Sequence, residues 1–276
     1  GTGTSDLPAN IFLLLDHSGS MDNALSTAGE VDLVKDVATD SSGNIYMLES
    51  YMNRIVIFDS SGDFVKRIGG WGTGCNQWQI SYSFAIYNDR IYVADNWGQR
   101  IVTLDLNGNC LTTSLTWSYP YAIAIGSGGA YVSHTDGGTT GYISTYALAG
   151  NGLALTNAYS LAGILDLAWG MNLNSAGNKL IIADEDTNRA IEITVSGTSL
   201  LSHTNSTSSA WGPQTTKFKK PFDAAYDSSG NFYVTDRRNQ RVKKYNSSFV
   251  YQARNRTATT INTSGPFNHA TGIHID

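Results

Sequence analysis

Four acids of this chain are each followed five residues later by an arginine: Glu49 and Arg54, Asp95 and Arg100, Asp184 and Arg189, Asp236 and Arg241. A carboxylate beside a guanidinium can serve acid–base chemistry, or it can form a charge-assisted hydrogen bond that fastens a loop. Recurrence favours the second role, because a catalytic pair is needed once while a pair repeated at one phase belongs to the architecture. The eight side chains are expected to tie the loops they flank.

Short strands are the elements that would position them. Pro221 to Tyr245 holds an apolar run at Ala224–Tyr226, the turn Asp227-Ser-Ser-Gly-Asn231, a second run at Phe232–Thr235 and a third opening at Arg241. Turn-forming residues between period-two segments spell an antiparallel meander. Val34 to Ile68 repeats the pattern and adds a second turn, Asp59-Ser-Ser-Gly-Asp63, before a fourth strand. Turns after the first strand recur at Asp40, Tyr87, Gly126, Asn174, Asp227 and Asp276, at steps typical of a propeller blade. The expectation is one all-β domain over residues 1–276, a six-bladed β-propeller of four-stranded antiparallel blades. Its blades fall at about 34–70, 79–115, 118–160, 165–204 and 219–255, and the last combines 266–276 with 8–30. Phe267–Asp276 reads as a first strand with nothing after it and Asn10–His17 as a second with nothing before it. Joining the two termini in one blade removes open strand edges.

The recurring P-x-[GD]-hydrophobic-A-x-D, SSGN-[IF]-Y-V-x-D and N-x-R-[VI] segments, with a loop such as Ile68-Gly-Gly-Trp-Gly-Thr-Gly74, resemble the NHL repeat. The pattern is clear near Val34 and Pro221 and at 81–112 and 168–200; at 119–160 His134 replaces the acid, the arginine is absent and Asp136–Gly141 lengthens the loop. The resemblance implies a six-bladed propeller, and it implies no single function, because the family includes enzymes, sensors and binding modules. Similar enzymes, the peptidyl-hydroxyglycine amidating lyases, hold zinc with three histidines at the channel. Here the metal-like group is Asp16, His17 and His269, expected to meet at the top of the sixth blade, where calcium or zinc would be the ion; no other cofactor is expected. Leu13–Met21 also resembles the ion-binding loop of von Willebrand factor A domains, through Asp16, Ser18 and Ser20, but the match ends after about ten residues.

One position per blade, just before the G/D of the repeat, is occupied by Lys35, Tyr82, Tyr121, Trp169, Phe222 and Thr271. Four aromatics there would surround the channel mouth, either to stack on a ligand or to form the top layer of inter-blade packing. Tyr51 and Trp97, in loops on the same face, extend that surface. Between Lys217 and Arg256 ten basic residues stand against three acids, and Arg237 and Arg238 are placed beside the aromatics. Such a face suits an anionic polysaccharide, an acidic protein patch or a single-stranded RNA, although a net charge of −5 argues against general nucleic-acid affinity.

Charged residues make up only 15% of the chain, and sequons at Asn205, Asn246, Asn255 and Asn262 suit a glycoprotein outside the cell or at its surface. No apolar run is long enough for a membrane span. Cys75 and Cys110 flank the second blade, and a disulfide between them requires the Gly-rich loop to fold back; bridged and free states both remain open. The function expected is non-catalytic recognition of protein or carbohydrate by the top face, with self-assembly through the split blade. The alternative is a metal-dependent lyase or lactonase-like hydrolase.

Overall fold

The computed structural model describes residues 11–15, 31, 33–135, 140–207, 212, 217–255 and 270–275. Strand β1 (Ile11–Leu15) is followed by five four-stranded meanders. Blade one comprises β2 (Val34–Thr39), β3 (Ile45–Glu49), β4 (Arg54–Phe58) and β5 (Phe64–Gly69). Blade two comprises β6 (Ser81–Tyr87), β7 (Arg90–Asp95), β8 (Arg100–Asp105) and β9 (Cys110–Leu115). Blade three comprises β10 (Pro120–Gly126), β11 (Gly129–Thr135), β12 (Gly141–Ala149) and β13 (Gly152–Ser160). Blade four comprises β14 (Ala168–Leu173), β15 (Lys179–Asp184), β16 (Arg189–Ser196) and β17 (Ser199–Ser206). Blade five comprises β18 (Pro221–Tyr226), β19 (Phe232–Asp236), β20 (Arg241–Tyr245) and β21 (Tyr251–Asn255), and the described chain ends on β22 (Ala270–Ile275).

The hairpins on the lower face share one local device. In Asp40-Ser-Ser-Gly-Asn44, Asp40 Oδ1 accepts the N–H groups of Ser42 and Asn44 at 2.9 and 3.0 Å, an Asx turn, and Gly43 takes the positive φ of 78° that completes it. Asp59, Asp105, Asp227 and Asn246 repeat the arrangement. Most apolar clusters lie between neighbouring blades: Leu48 and Ile55 of blade one, for example, pack with Phe84 and Val93 of blade two and with Trp78 of the loop that joins them. A blade buries its faces only against its neighbours, so the ring must close to complete the core.

It closes at the termini. β22 lies innermost between β18 and β2 and pairs antiparallel with β1, with Leu13 opposite Ile273 and Phe12 opposite His274. Thr271 Oγ1 donates to the Val34 carbonyl at 2.9 Å, and Asp223 Oδ2 accepts the Ile273 N–H at 2.9 Å. The G/D position of the repeat is where adjacent inner strands touch. Asp36 Oδ2 accepts the Phe84 N–H at 3.0 Å, linking blade one to blade two. Gly170 is glycine because a Cβ there would lie 2.7 Å from the Asp223 Cα of the next blade.

Candidate ligand-binding face

The loops between blades and the loops between second and third strands emerge at the same end of the ring, the top face. All four acid–arginine pairs form there: Arg54 with Glu49, Arg100 Nε with Asp95 at 2.8 Å, Arg189 Nε with Asp184 at 3.8 Å, and Arg241 Nε with Asp236 at 2.7 Å. They grip more than the loop they flank. Asp95 and Asp236 each accept a backbone N–H of the incoming inter-blade loop, from Gln79 and Lys219, at 2.7 Å. Arg100 donates to the carbonyls of Thr73, Gly74 and Gln77 at 2.9 to 3.0 Å, and Arg241 to that of Lys217 at 3.0 Å. Buried charge is thereby matched with hydrogen bonds on both partners, the condition under which such a pair holds structure.

Blade three is built differently. Pairing puts His134 opposite Pro120 and Tyr142, the register positions of the acid and the arginine elsewhere. The rings of His134 and Tyr142 stack with centroids 5.5 Å apart, Trp117 meets both edge-on, and His134 Nε2 lies 2.6 Å from Ser144 Oγ. Burial pushes the imidazole down to about 4, so this blade presents a neutral stack where the others hold an ion pair. The residue three before each inner strand shows the consequence: Trp78, Leu165 and Phe218 are at most 2% exposed, whereas Trp117 is 54% exposed.

The inner-strand aromatics do surround the axis, and they pack on one another. Tyr82 stacks on Tyr121 at 5.7 Å, both meet Trp169 edge-on at 4.8 and 5.2 Å, and Trp169 lies 5.3 Å from Phe222. Lys35 Nζ and the Arg237 guanidinium sit 5.9 and 5.2 Å from the Phe222 ring centre. Burial, with nearby Tyr51 and Tyr121 adding to it, pushes the Tyr82 phenol up to about 12, so the cluster's phenols stay neutral. These rings cap a channel of about 170 Å³, lined lower down by Asp36, Asp223 and His274. Burial raises the Asp36 carboxyl to about 7; burial and the charge of Asp36 raise Asp223 well above the usual carboxylate range.

Outside the cap, Tyr51, Met52, Trp71, Trp97, Trp117 and Tyr119 form an exposed crescent over blades one to three, each 45 to 56% accessible. Hydrogen bonds lace their loops into one surface: the Ile80 N–H reaches Asn53 Oδ1 at 2.6 Å, the Trp97 N–H the Gln79 carbonyl at 3.0 Å, and the Thr116 N–H the Gln99 carbonyl at 3.0 Å. Cys75 and Cys110 are disulfide-bonded with Cα atoms 5.6 Å apart, which anchors the loop carrying Trp71. Separation of the strand ends is no obstacle, because the outer strand β5 leans across the β8–β9 turn of the next blade, where Lys66 Nζ reaches Asn107 Oδ1 at 3.1 Å.

A family model described as a 6-bladed beta-propeller matches residues 24–149, and a model of the NHL repeat matches residues 218–245. The chain is a β-propeller whose fifth blade matches the NHL repeat. Among curated proteins none matches it significantly. Solved structures similar to this propeller include a nidogen/laminin complex (14% identity, 87% of this chain and 83% of that chain covered, TM-score 0.64). They also include virginiamycin B lyase from Staphylococcus aureus (15%, 88% and 74%, 0.56) and a luciferin-regenerating enzyme (13%, 83% and 77%, 0.58). At such identities the likeness is one of fold.

The basic sector of this propeller is largely matched from within. Lys220 pairs with Asp186, Arg237 with Glu185 at 2.5 Å, and Lys243 stands 3.6 Å from Asp236; Arg238 is exposed. Asp16, His17 and His269 lie outside the described residues, and among the described residues no group of three His, Cys, Asp or Glu side chains could hold a metal ion. No described helix is long and apolar enough to cross a membrane. Sequence reasoning found Tyr51 and Trp97 but missed Met52, Trp71, Trp117 and Tyr119; the signal was present as large apolar residues in loops otherwise made of Gly, Ser, Thr, Asn and Gln.

Proposed function

We propose that this propeller is a non-catalytic recognition module acting outside the cell or at its surface, and that it binds through the aromatic crescent on its top face. The observation that carries the reading is a set of half-exposed rings, Trp71 and Trp97 in contact, held on charge-free loops that hydrogen bonds link to one another. Exposed apolar area of this kind marks an interaction site, and preorganised loops reduce the entropy lost on binding. The rings of the channel cap, in contrast, pack on one another. The disulfide supports an oxidising compartment. The nidogen/laminin complex shows a similar fold in a binding assembly, which supports recognition as a task this architecture can perform.

A pull-down from extracellular protein and glycan fractions, using the full chain beside a Trp71→Ala/Trp97→Ala double variant, tests the reading. A partner retained by the native chain and lost by the variant is expected; equal retention by both overturns it. Elemental analysis addresses the metal-dependent lyase or hydrolase alternative, for which stoichiometric calcium or zinc lost on Asp16→Ala would be the signature.

A further inference from the structure

We propose that the crescent is a platform for a neutral polysaccharide, whose sugar rings lay their C–H faces on Trp71, Trp97, Trp117 and Tyr119. The inference rests on the recognition reading above and names its ligand. Loops 50–53, 70–80, 96–99 and 116–119 contain no Asp, Glu, Lys, Arg or His. The full charges that bracket these loops, on Glu49 and Arg54 and on Asp95 and Arg100, are paired with each other, and the second pair also holds loop backbone. An anionic chain, a nucleic acid or a charged peptide would lose hydration over this surface without gaining a partner, whereas an uncharged sugar has no such cost.

Composition separates a sugar from a protein surface. Met52 is the one flexible apolar side chain in the crescent; the rest is aromatic rings interleaved with amides and hydroxyls, among them exposed Thr73, Asn76 and Gln99. That mixture matches a ligand whose faces are C–H and whose rim is hydroxyl. Trp71 and Trp97 meet at 76° with centroids 6.3 Å apart, a corner that fixes both rings in place before a ligand arrives.

Blade three supplies an independent indication. Every other complete blade keeps an acid–arginine pair at this height, and blades two, four and five bury the residue three before the inner strand. Blade three alone among them replaces the pair with the neutral His134–Tyr142 stack and turns Trp117 outward. The departure removes charge and adds an exposed ring at the same place.

Affinity electrophoresis of the full chain through gels containing laminarin, xylan, galactan, alginate or heparin tests the proposal. Retardation by at least one of the three neutral polymers is expected, insensitive to salt up to about 0.5 M. It should weaken about tenfold in Trp97→Ala and in Trp71→Ala and persist in Val250→Ala, whose side chain is exposed on blade five. Melting temperatures of all three variants establish that they are folded. Retardation by alginate or heparin alone overturns the proposal, and so does retardation by none. In the latter case, a protein captured by the native chain but not by the Trp71→Ala/Trp97→Ala variant leaves the recognition reading standing without its sugar; no such protein removes both.

Discussion

The two sides of the top face are built on the same repeat and spend their side chains in opposite ways. Over blades four and five the loops carry Glu185, Asp186, Lys220, Arg237 and Arg241, and these largely neutralise one another or hold backbone. Over blades one to three the loops carry rings and amides, and the rings stay half exposed. The side with the more reactive-looking sequence is the side already satisfied. The side that reads as bland loop has surface left over, and unspent surface is what a partner can use.

If the charged side is architecture, breaking it should cost folding energy. Arg241→Ala is expected to destabilise the protein by about 3–5 kcal/mol in urea denaturation, toward the lower end because Lys243 still offsets the Asp236 charge while the hydrogen bonds are lost. A loss below about 1 kcal/mol would mean that this side is not held by its ion pairs.

The channel beneath both sides should respond to pH by itself. Asp36 is raised from 3.8 to about 7 by burial, so the folded chain binds this proton more tightly than the unfolded chain does. The resulting stabilisation is complete below about pH 4 and is lost as pH rises through about 7, a change of up to roughly 4 kcal/mol. Asp223 contributes with the same sign. Thermal midpoints followed across this window should fall in the native chain and fall less in Asp36→Asn, where buried Asp223 remains; a native curve that rises would contradict the assignment.

On the aromatic side, the disulfide closes a loop of 35 residues that includes the Trp71 segment. Replacing Cys75 and Cys110 with serine is expected to cost about 2–4 kcal/mol of stability and to raise hydrogen exchange in residues 70–80. Unchanged exchange there would show that the Arg100 contacts alone hold the loop.

The smallest effect is expected at the rim of the charged side. Lys220→Ala breaks a partly exposed pair with Asp186 and should change stability by less than about 1 kcal/mol. Any larger change would move this pair from the rim into the framework.

The fold was legible because each blade states its own turns. Asp-Ser-Ser-Gly-Asn dictates an Asx hairpin through contacts no more than four residues apart, and alternation dictates which side chains reach a neighbouring blade. The split blade was legible for the same reason, since a strand lacking its neighbours is a local observation. Legibility ended where a side chain's fate depends on another blade. Phe222 and Trp97 look alike in the sequence; Phe222 is buried under Arg237 and beside Trp169, while Trp97 stands open. The reach of Cys75 to Cys110 was equally hidden, because it follows from the lean of one blade's outer strand over the next.

The sequence by itself determined the repeat, the turns, the acid–arginine pairs and the closure by both termini, all written in short-range patterns that fix backbone hydrogen bonding. Only the tertiary structure decided that the inner aromatics cap the channel, that the basic residues are largely matched by acids, and that Trp71, Trp97, Trp117 and Tyr119 remain exposed together. Exposure is a property of what lies across the gap between blades, and residues distant in the chain occupy that gap.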